Sequence, residues 1–550
     1  MSSTSILDTA LLTPRLLDGC VAWASSLNKN DIRSLLLITI ITAVVWHYFS
    51  PRKQRLVPGI PVIGGVGIKE RIRSRERFRH DSKAMLEEGY FRNNVDGGLF
   101  YVPSPLGERL MLPIRYLEDL KTAPMDKVDF VGTFIEMFEG KYTTFGSRST
   151  LHPRTVKADL NQHLSDVMQS VQDEIIECFD EIFPKCSEDE WTAVPLVDVI
   201  TRIVARASSR MFGGAQLSRN SAWVAASLSF AIDGYIGAQK LKKYPEFLKP
   251  LVARLIPEVR ILAKYHEEAE KAALPMLAER ERTGERPKDL LSWMQDAAVG
   301  EETDPRFIAG ILLKISFAAI HTTAAANSQL IFDLCAHPEL IPLVRNEFEE
   351  VAEEDGKISK KGFFQMHIMD SIMKESQRFN PLLLGIALLP SLAFSLDLLF
   401  QPPPSIPFTF ERIITEDWRL SDGFVIPAHT TVGVPSQAIA MDPNLYPEPE
   451  TFDGLRFAKL RETTDNPATK GKAQFVAANP QSMAFGYGRH ACPGRFFAGD
   501  EIKAITMHLL NNYDIKFAEG QTRPKSLEVE TQFLPDHAAT ILCKKRVRRN

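Results

Sequence analysis

A single cysteine near the C-terminus carries the clearest chemical signal in the sequence. Cys492 lies in the stretch 485–494, which reads FGYGRHACPG, and an apolar pattern with helical spacing follows it. Glycines let a backbone pass close to a bulky group, and backbone N–H groups at the start of a helix stabilise a thiolate. The pattern therefore predicts a functional thiolate at a helix N-terminus. A buried structural cysteine is the alternative, because free cysteine is among the most buried residue types.

The stretch resembles the haem-binding loop of the cytochrome P-450 family, Phe-x-x-Gly-x-Arg-x-Cys-x-Gly, at Phe485, Gly488, Cys492 and Gly494. The resemblance implies that Cys492 is the axial iron ligand of haem b, iron protoporphyrin IX, and a thiolate ligand favours O–O cleavage. His490 stands where the family usually has arginine. It can still donate a hydrogen bond to a haem propionate, although its charge depends on pH.

A second candidate site lies in an apolar helical run from Ile308 to Leu334, which contains Ala318-Ala319-Ile320-His321-Thr322-Thr323. Threonines are mildly unfavourable inside helices, so the pair Thr322 and Thr323 is unusual, although helix core also explains it. The segment resembles the family's Ala/Gly-Gly-x-Asp/Glu-Thr-Thr/Ser. That resemblance implies that Thr322, with His321, helps to deliver protons to oxygen bound at the haem. His321 replaces the acid, but a neutral histidine can both donate and accept a hydrogen bond.

Supporting residues lie between these two stretches. Glu375 and Arg378, three residues apart, share one face of a predicted helix and can pair, as exposed pairs on many helices do. They resemble the family's Glu-x-x-Arg, and Arg456 lies in a stretch that resembles its Pro-x-x-Phe…Arg-Phe segment. The resemblance implies a buried network of the three side chains that braces the cysteine loop. It also suggests that His152 and Lys157 face the haem propionates, while ordinary surface charge is the alternative.

The bulk properties are those of a large globular protein. The 550 residues are 44% hydrophobic, so the chain can bury a large core. A net charge of -4 gives no reason to expect nucleic acid as a partner. The six cysteines form no CxxC pair, which argues against a disulfide framework or a structural zinc site. The family resemblance implies a mainly α fold with small β-sheets over residues 65–550.

The N-terminal part of the chain predicts a membrane anchor. After a mixed segment, 1–33, residues 34–50 are apolar and carry no formal charge, and 51–64 form a basic and then Pro/Gly-rich hinge. The apolar run predicts one transmembrane helix with the remaining chain in the cytosol, while a buried core helix is the alternative. The resemblance implies a single-pass protein of the endoplasmic reticulum. It also suggests that 244–257 dips into membrane lipid, which core packing explains equally well.

An unusual apolar, proline-rich insertion occupies residues 385–408, with Asp397 as its one charge. It is far longer than common loops. It is interpreted as translated non-coding sequence in the gene model, because an exposed apolar segment of this size is a liability. A real substrate-pocket or membrane loop is the alternative.

Together these features predict a haem-thiolate monooxygenase that oxidises a bulky hydrophobic small molecule with O2. The sequences of the two main motifs resemble those of fungal ent-kaurene oxidase-like members, which implies that the substrate is a terpenoid or related secondary metabolite. No G-x-G-x-x-G opens a strand-to-helix turn, so electrons are expected from a separate NADPH-dependent cytochrome P-450 reductase. A haem-thiolate isomerase or dehydratase and a catalytically dead haem protein remain the alternatives.

Overall fold

The computed structural model describes residues 56–104, 107–381, 411–529 and 532–547. The predicted N-terminal segment 1–33, the anchor 34–50, the first part of the hinge (51–55) and the insertion 385–408 lie outside the described residues. The chain divides into two compact units, Met1–Gln54 with Pro245–Lys249 and Arg55–Tyr244 with Pro250–Asn550. Of the smaller unit only Pro245–Lys249 is described. Apart from Lys249, all residues described below belong to the larger unit.

Helices dominate the described residues, as the sequence predicted. In chain order they are α1 (Ile68–Gly89), α2 (Leu117–Thr122), α3 (Phe130–Met137), α4 (Gly140–Thr143), α5 (Leu151–Thr155), α6 (Leu164–Glu181), α7 (Leu196–Ser218), α8 (Ser221–Leu241), α9 (Lys249–Val252), α10 (Pro257–Thr283), α11 (Leu290–Ala297), α12 (Pro305–Ala336), α13 (Leu340–Val351), α14 (Lys360–Gln365), α15 (His367–Phe379), α16 (Ser436–Ala440), α17 (Arg456–Glu462), α18 (Pro467–Lys472) and α19 (Arg495–Asn512).

The strands form four small sheets. They are β1 (Phe100–Ser104), β2 (Gly107–Met111), β3 (Val128–Asp129), β4 (Thr192–Pro195), β5 (Arg412–Ile414), β6 (Trp418–Arg419), β7 (Val425–Ile426), β8 (Thr431–Gly433), β9 (Tyr513–Lys516), β10 (Leu527–Val529), β11 (Gln532–Leu534) and β12 (Thr540–Lys545). Their orders are β1-β2-β8-β5-β3, β4-β12-β9, β6-β7 and β10-β11. In the largest sheet, β8 pairs parallel with β2, so Arg109 lies opposite Thr431, and antiparallel with β5, so Arg412 lies opposite Val432.

The second part of the predicted hinge belongs to the folded domain. Val62 forms an isolated parallel bridge with Tyr101 of β1. The Tyr101 N–H donates to the Pro61 carbonyl at 2.8 Å, and the Ile63 N–H donates to the Tyr101 carbonyl at 2.9 Å. Because these bonds extend the sheet, any hinge motion is confined to residues before Pro61.

Helix α12 runs through the middle of the domain. Asp304 caps its N-terminus by accepting from the Arg306 N–H, and Pro305 takes a first-turn position that needs no N–H donor. It packs against α7, α8, α10, α11, α15 and α19. Among the described residues it is the one helix long and apolar enough to span a membrane, but it is mostly buried in the protein. The predicted helix is therefore confirmed as a core helix.

Helix α19 is fixed against its neighbours by buried polar side chains. Asn327 of α12 donates to the Ile502 carbonyl at 3.1 Å. Ser208 of α7 donates to the Glu501 carboxylate at 2.9 Å, and Glu501 is 0% exposed. Burial raises the pKa of Glu501 to about 8, while the hydrogen bond from Ser208 lowers it. The folded state therefore holds the proton of this carboxyl group at neutral pH.

Glu501→Gln should stabilise the protein at alkaline pH. The folded-state pKa lies above the unfolded value near 4.5, so the folded state binds the extra proton between pH 4.5 and about 8. Stability linked to this group is fully present below pH 4.5 and is lost as the pH rises through that window. The amide removes this loss, so the free energy of unfolding at pH 8.5 should rise by about 1–3 kcal/mol relative to wild type. Differential scanning calorimetry at pH 5 and pH 8.5 measures the effect.

The matched control is Glu462→Gln at an exposed position. It should leave the pH dependence of the melting temperature unchanged. A Glu501→Gln variant whose difference from wild type is the same at both pH values would show that Glu501 is ionised in the folded protein.

Candidate active site

The loop around Cys492 is closed by its own backbone. The Cys492 N–H donates to the Phe485 carbonyl at 2.8 Å, and the Ala491 N–H donates to the Gly488 carbonyl at 3.1 Å. Gly486 and Gly488 have φ of 72° and 70°, which favour glycine. A Cβ at Gly488 would also lie 2.7 Å from Lys121 Cγ. The glycines are therefore required for the turn and for close packing on α2.

The Cys492 thiol lies at the start of α19, where backbone N–H groups converge. Burial raises its pKa, while hydrogen bonds from the Gly494 and Arg495 N–H groups and the charge of Arg495 lower it. The Arg495 guanidinium is held in place because it donates to the Cys492 carbonyl at 2.7 Å. The Cys492 side chain is nevertheless exposed. A thiol that is surrounded by protein yet accessible lies on the wall of an internal cavity.

One face of α12 is open along its middle turns. Between Ile311 and Ser328 the accessible residues all fall on one side of the helix, within an arc of roughly 140° at about 100° per residue. The other residues of this span are buried. The accessible residues are Lys314, Ile315, Ala318, Ala319, Thr322 and Ala326. Because other helices surround α12, this open face borders an interior space. Small residues at 318 and 319 widen that space.

The three residues predicted at the centre of this helix differ in their surroundings. Thr322 lies on the open face, and its hydroxyl donates to the Ala318 carbonyl at 2.7 Å. Thr323 is buried on the opposite side. His321 is 7% exposed and its Nε2 lies 3.1 Å from the Leu228 carbonyl of α8. Burial lowers the pKa of His321 to about 4, with a smaller contribution from the charge of His537. The His321 ring is therefore neutral, and Nε2 donates to Leu228.

The cysteine loop and the open face of α12 lie on crossing helices. Asn327 of α12 contacts Ile502 of α19 through the hydrogen bond described above. Next to this crossing, Ala326 and Ile502 line a small cavity together with Phe475. The Phe475 ring packs edge-on against Phe485 of the cysteine loop, with centroids 5.2 Å apart. This chain of contacts joins the loop to the middle of α12.

A group of basic side chains flanks the loop, and sequence reasoning named only His490 among them. The Arg412 guanidinium lies 4.5 Å from the centroid of the Phe130 ring, and that ring lies 5.2 Å from the His490 ring. Burial lowers the pKa of His490 to about 4, and the charges of Arg412 and Arg489 lower it further. The second buried arginine of this sheet, Arg109, pairs with Glu411 at 3.2 Å. The sequence signal that could have identified Arg412 was the pair of adjacent charged residues, Glu411 and Arg412, at the start of a strand.

The two residues predicted beside the haem propionates, on α5 and the following turn, differ in their exposure to solvent. Lys157 is exposed, and the turn that carries it packs on the loop through Asn161, whose side chain donates to the Pro493 carbonyl at 3.3 Å. His152 is half-buried. Burial and the charge of Lys314 lower the pKa of His152 to about 4. Its Nδ1 is buried without a hydrogen-bond partner within the described residues.

The Glu375, Arg378 and Arg456 side chains come together in a buried network. Arg378 donates two hydrogen bonds to the Glu375 carboxylate at 2.9 and 2.7 Å, and Arg456 Nε lies 3.1 and 3.2 Å from its two oxygens. Glu375 is 0% exposed. The Asp453 N–H also donates to Glu375 at 3.1 Å. The carboxylate is thus fully surrounded by donors.

This network reaches the segment that leads into the cysteine loop through one aromatic side chain. The Arg378 guanidinium lies 5.4 Å from the centroid of the Tyr446 ring. The Tyr446 hydroxyl donates to the Gln481 carbonyl at 3.0 Å, four residues before Phe485. The predicted network therefore contacts the approach to the loop through Tyr446.

The donor set fits an iron held by one protein ligand. No group of three or more His, Cys, Asp or Glu side chains in the described ranges is placed to hold a metal ion. Cys492 is the one cysteine of those ranges that is exposed, whereas Cys178, Cys335 and Cys543 are buried. The buried cationic side chain of Arg412 and the neighbouring His490 ring suit the carboxylates of a porphyrin. A thiolate-bound haem is consistent with these features.

Comparison with known proteins gives one family. The cytochrome P-450 family model matches residues 127–388 and 403–543. Residues 389–402, between the two matched segments, lie within the predicted insertion.

Three relatives illustrate the similarity. The cytochrome P-450 monooxygenase braC of Annulohypoxylon truncatum is 34% identical over 533 residues, 95% of this chain and 98% of that protein. A cytochrome P-450 monooxygenase of Emericella nidulans is 33% identical over 481 residues, 86% of this chain and 84% of that protein. An ent-kaurene oxidase of Gibberella intermedia is 30% identical over 550 residues, 99% and 98% of the two chains. The protein therefore belongs to the cytochrome P-450 family, oxygen-incorporating oxidoreductases that bind haem b.

Proposed function

We propose that this enzyme hydroxylates a bulky hydrophobic small molecule, a terpenoid or related secondary metabolite, with O2 and electrons from a separate NADPH-dependent cytochrome P-450 reductase. The observation that carries the proposal is the accessible Cys492 thiol at the N-terminus of α19, on a helix that crosses the one bearing Thr322. The similarity to an ent-kaurene oxidase supports a terpenoid substrate.

Haem would be held by residues of the cysteine loop and of β5. Cys492 would ligate the iron, while Arg412 and His490 would hold the propionates. The bound haem supplies the activation of oxygen. The Gly494 and Arg495 N–H groups partly offset the cost of burying a thiolate charge at Cys492 Sγ, although burial leaves the pKa of the thiol raised.

Thr322 is the residue placed to move a proton. Its hydroxyl donates to the Ala318 carbonyl, so its oxygen can accept a hydrogen bond from water in the cavity. His321 replaces the usual acid, but its Nε2–H donates to the Leu228 carbonyl. Only its Nδ1 remains for a proton route, so Thr322 and ordered water carry the larger share of that task.

Surface charges and apolar side chains support the two proposed partners. Lys157 and Arg489 are exposed beside the cysteine loop, where an acidic reductase surface could dock. Val66, Ile68 and Ile72 are 70%, 81% and 62% exposed at the start of the domain, directly after the hinge. Exposed apolar side chains beside a proposed anchor favour contact with membrane lipid.

Cys492→Ala should abolish the thiolate-type Soret band of the reduced carbon monoxide complex, because that band requires sulfur ligation. The measurement is a difference spectrum of the purified full-length protein. Cys186→Ser changes a half-buried cysteine outside the loop and should keep the band. An unchanged spectrum in Cys492→Ala would disprove the ligand assignment.

Product formation should require both the reductase and NADPH. The test is turnover of a terpenoid panel by the wild-type protein with each component omitted in turn. Product formed without the reductase would identify an isomerase or dehydratase. A haem-thiolate spectrum with no product from any member of the panel would identify a catalytically dead protein.

Thr322→Ala should lower the fraction of consumed NADPH that appears as product by about tenfold or more, since positioned proton transfer contributes at least that much. The measurement is the ratio of product to NADPH oxidised. Thr322→Ser keeps the hydroxyl group and should retain most of the coupling. Equal coupling in Thr322→Ala and wild type would remove the proposed role.

A further inference from the structure

Lys314 is a half-buried lysine on the open face of α12 for which the described residues provide no acidic partner. Burial is the one cause that lowers its pKa, so no carboxylate offsets the desolvation of its ammonium group. No hydrogen bond or ion pair joins it to another described residue. A partly desolvated cation without a counter-charge is less stable than one whose charge a ligand neutralises.

The acidic side chains on neighbouring turns already have basic partners. Glu302 pairs with Arg154 at 2.9 Å, and Glu270 lies 3.7 Å from Arg306. Glu267 pairs with Lys271 at 3.0 Å. None of them is available to neutralise Lys314, so its charge is directed to the cavity.

Two histidines from other helices are affected by the charge of Lys314. Burial lowers the pKa of His152 of α5 and of His266 of α10 to about 4, and the charge of Lys314 makes a smaller contribution to both shifts. Both rings are therefore neutral at physiological pH. His266 Nε2 is held by the Thr144 hydroxyl at 2.8 Å, whereas His152 Nδ1 is buried without a partner within the described ranges. A Cβ at Gly310, one turn before Lys314 on α12, would lie 3.8 Å from His266 Nδ1, so His266 packs against this end of the open face.

This polar group lies at one end of an apolar cavity wall. Lys314, Ala318 and Thr322 follow each other at spacings of four on the open face of α12, so Lys314 lies roughly 12 Å along the helix from Thr322. A cluster of aromatic rings packs beside it, in which Phe145 lies 4.3 Å from Phe317 and 4.8 Å from Phe230, and Phe230 is edge-on to His266 at 5.5 Å. A few convergent polar groups in an apolar site fix the orientation of a ligand.

We propose that Lys314 and His152 bind a carboxylate at one end of a hydrophobic substrate, placing the carbon to be oxidised about two helical turns away, near Thr322. The inference rests on the proposed function and narrows its substrate to an apolar acid. An ammonium group with an imidazole N–H donor matches the two oxygens of a carboxylate. A neutral hydrocarbon or ester would leave the buried charge unpaired.

The decisive experiment compares acids with their methyl esters. Full-length haem-loaded protein is titrated calorimetrically with dodecanoic acid, methyl dodecanoate, abietic acid and methyl abietate. In at least one pair, wild type should bind the acid about tenfold or more tightly than the ester, the range expected for hydrogen bonds to charged groups. Lys314→Met should remove this preference, and Lys314→Arg should keep most of it.

The matched control is Lys264→Met, which removes an exposed cation from α10 near His266. It should bind both members of each pair as wild type does. Equal or absent binding of acid and ester in both pairs, or an acid preference that survives Lys314→Met, would overturn the proposal.

Haem content and the reduced carbon monoxide spectrum are recorded for every variant. Loss of haem in Lys314→Met, without acid preference in wild type, would assign the lysine to a haem propionate and so overturn the substrate role. A wild-type protein without the thiolate-type band would refute the proposed function itself. A wild-type protein that has the band but no acid preference would refute only the carboxylate site.

Discussion

The structure around the cysteine depends on one buried carboxylate. Removing Glu375 from water costs several kcal/mol, which only close pairing can offset. Two arginines and a backbone N–H supply that pairing, and each arginine also donates to backbone carbonyls of the segment 440–451. This segment has little regular structure of its own. The guanidinium groups therefore hold irregular backbone in one conformation. Through Tyr446 they also contact the segment that leads into the Cys492 loop.

Helix α12 imposes a second constraint. A helix packed on most of its circumference normally leaves no voids, yet its middle turns keep an arc of roughly 140° accessible. The arc includes the small residues Ala318 and Ala319, and its polar positions are Lys314 and Thr322. Small side chains give up apolar contact that larger ones would make, which lowers stability. Such a loss is tolerated where a ligand restores the contacts, so the arc marks a space suited to a ligand.

The residues that sequence could predict are those whose role is local. The Cys492 loop, the Thr322 helix and the Glu375-Arg378 pair each show a recognisable pattern within a few positions, and the structure brings the last pair and Arg456 together as predicted. Arg412 was missed because its neighbours Phe130 and His490 are far away in the chain. The partner of His321, a backbone carbonyl of α8, has no sequence signature at all. Likewise, residues 61–63 suggested a hinge by composition, but pairing with Tyr101 makes them part of the sheet.

The charge pattern of the cavity gives a reason for histidine at position 321. Residues 314 and 321 are two helical turns apart on nearly the same side of α12, roughly 10 Å along its axis. A carboxylate at 321 would attract the Lys314 ammonium by about 1.5 kcal/mol at an effective dielectric constant of about 20. That attraction would compete with an acidic ligand for the same charge. A neutral histidine, bonded to Leu228, keeps the packing between α8 and α12 while leaving Lys314 unneutralised. Under the proposed carboxylate site, the departure from the usual acid and the lysine without an acidic partner are two parts of one electrostatic arrangement.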